Sequence, residues 1–192
     1  IGYPAGVARR TILGIAGTST VIRRNFNISI ADFANASVAL CNTAGAVLTV
    51  SNINFAAGTG TTSCKVLFVS ANTVQATVIV SGNMVCTGTL DSFGGGGTTL
   101  LRFNGGNQGL TLPTGGNFVN AGAVSYQIDA GSSVTLSNAV NAGVSLTLNG
   151  TLTENGSLTF AGPNTIGANG LFRLNVNGGA IPTATWPSGS RA

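Results

Sequence analysis

Histidine is absent from this 192-residue chain, and its acids number four: Asp32, Asp91, Asp129 and Glu154. Without imidazole there is no usual general base, no Ser-His-Asp or Cys-His triad, and few routes to a transition-metal site. The four carboxylates are spread thinly along the chain, and even the nearest pair, Asp129 and Glu154, is separated by several strand-like runs. Glycoside hydrolysis needs two carboxyl groups facing one bond, and calcium needs several clustered together. A β-solenoid could bring Asp129 and Glu154 close, but nothing in the local sequence groups the four, so they read as surface or turn residues. The run Gly94 to Gly97 lacks the Lys-Ser/Thr ending of a phosphate loop and reads as turns. Lys65, the single lysine, sits in a strand-like run, a poor place for a Ser-Lys dyad. Neither catalysis nor a cofactor nor a metal is expected.

Three cysteines, Cys41, Cys64 and Cys86, follow one another at long, nearly equal intervals, a spacing that matches no zinc pattern. In an oxidising compartment an odd count leaves one thiol over after a single bridge. Three pairings are open, and Cys41–Cys64 is the disulfide expected. Each cysteine also suits a small buried apolar position.

Charged residues make up 6% of the chain, against roughly 25% in an ordinary soluble domain. The exterior must therefore present Ser, Thr, Asn and Gly to water. Such a surface suits a secreted protein that packs against copies of itself, because little like-charge repulsion opposes close approach. The net charge is +4, and four of the eight basic residues are Arg9, Arg10, Arg23 and Arg24. A basic arm can neutralise phosphate, yet four charges without interleaved aromatics make a thin footprint. Nucleic acid is not expected as a partner. No run reaches the ~18 apolar residues of a membrane helix. The start, IGYPAGVARR, lacks the apolar stretch of a signal peptide, so export implies a signal already removed.

The elements that must position these groups are strands. No window combines a 3.6-residue apolar period with good helix formers. Val, Ile, Thr and Phe alternate in short runs between Gly, Asn and Ser clusters, which is the pattern of strands and turns. Residues 1–19 read as a leader or extension and 20–90 as a sandwich-like part, with strands at 37–41, 46–55, 64–70, 73–80 and 83–90. A glycine-rich connection follows at 91–122, then a repetitive part at 123–178 and a tail at 179–192.

The repetitive part has a beat. Ser133-Val134-Thr135-Leu136, Ser145-Leu146-Thr147-Leu148 and Ser157-Leu158-Thr159-Phe160 begin at an even step of twelve positions. A fixed period marks stacked units that cannot bury their apolar faces alone. A β-solenoid fits, and so does a β-meander with hairpins at Asn149-Gly150 and Asn155-Gly156. The fold class expected is all-β: an antiparallel β-sandwich-like N-terminal part with a repetitive β-meander or short β-solenoid C-terminal part. Among four N-x-Ser/Thr sequons, Asn149 and Asn155 fall in expected turns and are the glycosylation candidates.

Residues 109–178, through the NGTLTENGSLTF style of repeat, resemble the passenger repeats of filamentous-haemagglutinin and autotransporter β-solenoids. In general character the whole chain resembles extracellular, pilin-like filament subunits. That resemblance implies donor-strand assembly, in which one subunit's strand satisfies a neighbour's open sheet edge. Ile22, Phe26, Ile28 and Ile30 are the inter-subunit strand candidates, with an ordinary first strand as the equal alternative. The expected function is a structural subunit of an extracellular filament or cell-surface layer, assembled from copies of itself by strand pairing and apolar burial. A monomeric adhesin or carbohydrate-binding module is the alternative, with host or cell-surface glycans as partners and Tyr126 and Trp186 as isolated stacking aromatics. A viral coat subunit with a basic N-terminal arm is the third reading.

Overall fold

A computed structural model describes residues 9–15, 19–30, 36–57, 65–69, 74–91, 97–114, 118–119, 123–138, 140–143 and 145–192. Twenty strands lie among the described residues, and every strand pairing there is parallel. Each strand pairs with one a full winding further on, as in a parallel β-solenoid. The antiparallel sandwich expected for the N-terminal part is therefore wrong, and so is the meander. Leu146–Leu148, Thr151–Glu154 and Leu158–Phe160 flank the two Asn-Gly pairs, yet none of the three pairs with another; each pairs one winding before or after itself. Asn-Gly here turns a corner within a winding instead of closing a hairpin.

The windings have three successive sides. Arg9–Ile15, Ala36–Cys41, Lys65–Val69, Thr89–Asp91 and Phe118–Val119 form the first ladder. Val140–Gly143 and Leu158–Phe160 hold the same place in later windings as a separate two-stranded sheet. The long strands Thr20–Ile30 and Ala46–Ala57 serve the second and third sides in turn. Ala46–Val50 pairs with Ala76–Val80, whereas Ile53–Phe55 pairs with Met84–Cys86. The second side continues through Gln75–Val80, Thr98–Phe103, Val124–Ile128, Leu146–Leu148, Asn164–Ile166 and Ala184–Thr185. The third continues through Met84–Cys86, Asn107–Thr111, Ser133–Leu136, Thr151–Glu154 and Leu171–Leu174. Both ladders run unbroken across the glycine-rich stretch, with Thr99 opposite Val124 and Gln108 opposite Val134.

Alternation decides what is buried. On the second side Leu48, Val78, Leu101, Tyr126 and Leu146 stack inward as one row, and Val50, Val80, Phe103, Ile128, Leu148 and Ile166 as another. Each winding adds one apolar side chain to each row, so the core is a column built from near neighbours. The winding shortens along the chain, from thirty-one residues between Asn52 and Asn83 to eighteen between Leu146 and Asn164.

The twelve-residue beat follows from that shorter winding. Eighteen residues over three sides allot six to each side, so a step of twelve advances two sides. Ser133–Leu136 lies on the third side, Leu146–Leu148 on the second, and Leu158–Phe160 in the first-side position. The copies that look alike therefore do not stack on one another. Near the C-terminus Ala184 and Thr185 pair with Asn164 and Thr165, Arg191 bridges to Leu171, and Trp186 packs on the core. These last residues continue the winding.

Corners carry the asparagines. Asn52 donates its amide to Asn25 Oδ1 at 2.9 Å, and its own Oδ1 accepts the Asn83 N–H at 2.7 Å. Asn83 Oδ1 accepts the Gly109 N–H at 2.7 Å. An amide side chain supplies both a donor and an acceptor, so a column of them satisfies the backbone N–H groups that a bend releases from the ladder.

Candidate functional site

A carboxylic acid is enclosed among the apolar rows. On the third side Ile53, Met84, Leu110, Leu136, Glu154 and Leu174 follow one another inward. Glu154 is fully buried, so it is not the surface or turn residue that its sequence context suggests. Its Oε2 accepts a long 3.4 Å bond from the Leu158 N–H, and Oε1 has no partner among the described residues. Burial pushes its carboxyl up to about 7, against the opposing pull of the Leu158 N–H. The sequence did hold the signal. At a spacing of six, residues 136, 142, 148, 154, 160 and 166 are Leu, Ala, Leu, Glu, Phe and Ile, so Glu154 stands where every companion is apolar.

Outside the core, Arg102 and Gln127 are outward neighbours on the second side. The Arg102 guanidinium grips Asp129, with Nε at 2.8 and 3.1 Å from the two carboxylate oxygens and a terminal nitrogen at 2.7 Å. Gln127 donates to the same carboxylate at 2.7 Å. This forked geometry ties two windings together. Asp129→Ala should cost about 1 kcal/mol, the upper end for a partly exposed pair. A double-mutant cycle with Arg102→Ala, read by urea unfolding, checks the coupling. Asp129 and Glu154, the two acids that a solenoid could bring together, do not share a site: Asp129 is held by Arg102, and Glu154 lies inside the core.

At the first winding, Thr20–Ile30 pairs in parallel with Ala46–Ala57 of the same chain. Of the inter-subunit candidates, Ile22 and Phe26 pack against the core partly buried, and Ile28 is buried; the Ile30 side chain lies outside the described residues. Phe26 meets Phe55 edge to face at 6.4 Å between ring centres. The other edge of this strand has no strand partner among the described residues. That edge is interrupted: Ile22 faces Val50 and Asn25 faces Asn52, so Arg23 and Arg24 stand opposite the single residue Ser51. A bulge bearing two charges is how natural sheets discourage pairing at an edge.

The remaining expected sites are scattered. Cys41 and Cys86 are buried thiols, pushed up to about 11 and about 12 by burial, and therefore protonated and unreactive at neutral pH. Cys64, the partner expected for Cys41, lies outside the described residues. Asn149 is half-buried at a corner, and Asn155 is exposed, its Oδ1 accepting from Asn175 at 2.9 Å. Tyr126 is buried edge to face against Phe160 and cannot stack on a sugar; Trp186 is half-buried. Among the described residues no three of His, Cys, Asp and Glu come together, and no helix is long and apolar enough to cross a membrane.

Comparison with protein-family models, with curated proteins and with solved structures finds no match for this chain. The geometry alone then directs attention to the exterior of the windings.

Proposed function

We propose that this chain is a structural element of an extracellular surface, a stack of parallel windings that associates sideways with copies of itself and performs no catalysis. The observation that carries this reading is where the charge sits. Among the described side chains, the only ion pair in the middle windings, Arg102 with Asp129, neutralises itself. Arg23 and Arg24 lie in the first winding, while Arg173 and Arg191 lie in the last, all four exposed. Toward the later windings the outward rows become hydroxyls, Thr147, Thr165 and Thr185 on the second side and Thr135 and Thr153 on the third, where earlier windings place Ile79 and Leu100 outward.

Contact between the middle flanks takes little net charge out of water, because the Arg102–Asp129 pair there is already neutralised. The windings also differ in length, twenty-seven residues from Asn25 to Asn52 but twenty from Asn155 to Asn175, so windings from different parts of the stack are poor templates for each other. The exposed large apolar side chains, Val21, Val85 and Ile181, are scattered. Association therefore rests on the hydroxyl flanks more than on apolar burial or on strand exchange through Ile22, Phe26, Ile28 and Ile30.

Electron microscopy and sedimentation of the purified chain across a concentration series test this. Flat or bundled assemblies are expected, dispersed by the pair Thr147→Lys and Thr165→Lys while the monomer stays folded by circular dichroism. Monomers at every concentration, or assemblies indifferent to the two lysines, would sink the proposal.

A further inference from the structure

The bulge in the first winding assembles a group of donors with no acid to match among the described side chains, independently of any sideways packing. Arg23, Arg24, Asn25, Ser51 and Asn52 line a shallow cavity of about 510 Å³. The two arginines, placed opposite Ser51 by the extra residue, are both exposed. A bulge redirects side chains out of the regular alternation, which is how consecutive arginines come to line one cavity.

Hydrogen bonding sets the polarity of the wall. The Gly109 N–H requires Asn83 to present Oδ1, and the Asn83 N–H requires the same of Asn52. Asn52 must then turn its NH₂ toward Asn25, whose Oδ1 accepts it. The acceptors of Asn25 and Asn52 are both taken, which leaves the Asn25 NH₂ without a partner among the described residues. The Ser51 carbonyl is likewise taken, accepting the Gly82 N–H at 2.5 Å. As donors not engaged within the described chain, the lining residues thus offer two guanidinium groups, one amide NH₂ and one hydroxyl. Nor does the chain supply a counter-ion from its described carboxylates: Asp129 is held by Arg102, and Glu154 is buried.

The geometry points to this bulge as a binding site for an oxyanion, a carboxylate or sulfate group carrying several acceptor oxygens. Guanidinium pairs with such groups through two parallel N–H···O bonds. For a surface protein the natural bearer is an acidic polysaccharide, and a free inorganic anion shares the same chemistry.

Calorimetric titration at pH 7 and low salt, with sodium sulfate in one arm and a galacturonate trimer in the other, separates these sources. Saturable binding is expected in at least one arm. Tighter binding of the trimer assigns the glycan; tighter binding of sulfate assigns the free anion. Arg23→Gln and Arg24→Gln should each weaken binding at least tenfold. Asn25→Asp should abolish it, since the acid still accepts from Asn52 but turns an oxygen toward the anion. Arg173→Gln, at the far end, should leave affinity unchanged. Absence of saturable binding in both arms overturns the inference, as does an equal loss with Arg173→Gln, which would mark general charge attraction. Thermal melts of each variant confirm that the fold is retained.

Discussion

Replacing Glu154 by leucine raises the stability of this protein most at alkaline pH and flattens its pH dependence. The carboxyl sits between Leu136 and Leu174 in an inward row that is otherwise apolar, with one oxygen lacking any partner among the described residues. Its folded pKa of about 7 lies above the ordinary value of 4.5. A group raised in this way binds its proton more tightly in the folded state. It burdens the fold least below pH 4.5, and stability falls as pH climbs from there through 7. Over that window the loss should total roughly 3 kcal/mol, from the ~1.4 kcal/mol that each tenfold change in proton affinity represents.

Because the chain contains no histidine, no side-chain type present has its ordinary pKa between about pH 5.5 and 8. The slope of stability across that range therefore reports Glu154. Urea unfolding of wild type, Glu154→Leu and Glu154→Gln at pH 5, 6.5 and 8 is the measurement. Leucine should gain about 2–4 kcal/mol at pH 8 and less at pH 5, and glutamine should lose the slope while keeping a buried polar group. A wild-type slope that persists in both variants would falsify the burial of Glu154.

The second large effect is at Gly150, where Asn-Gly forms a corner. A Cβ there would overlap the carbonyl oxygens of Asp129 and Ser132 on the preceding winding. The Ser132 carbonyl also accepts the Thr151 N–H at 2.8 Å, so moving it aside disturbs the inter-winding ladder as well. Gly150→Ala should cost about 3–4 kcal/mol, in the range of severe single substitutions, and lower the melting temperature by roughly 10 °C. Gly131 makes the control. Its φ of +81° favours glycine, yet nothing lies within 4 Å of a Cβ placed there, so alanine should cost only about 1 kcal/mol. Equal, small losses at both positions would mean that the windings are not in contact at Gly150.

Several features were present in the linear order. Alternation through Val47–Phe55 and Gln75–Val80, the lack of any helical period, and the Asn, Gly and Ser clusters between runs all specify strands and bends, because side chains in a strand alternate whatever it pairs with. The small number of charges, and with it an exterior of hydroxyls and amides, could also be read directly. The direction of pairing could not. Parallel and antiparallel strands show the same period of two, and an Asn-Gly pair that closes a hairpin serves equally well at a solenoid corner. Residues 83–90 read as one strand, yet Met84–Cys86 and Thr89–Asp91 lie on different sides because the chain bends between them.

The same limit explains Glu154 and the bulge at Arg23 and Arg24. Glutamate in "LTENG" matches a surface turn until the six-residue register of the winding is known, and two arginines in a strand match ordinary surface charge until Ser51 is set opposite them. Composition and alternation are local properties, and they suffice to specify an all-β chain with a charge-poor exterior. Which residues become neighbours across windings of eighteen to thirty-one residues is a long-range property, set by the fold, because the completed winding is what brings those residues into contact.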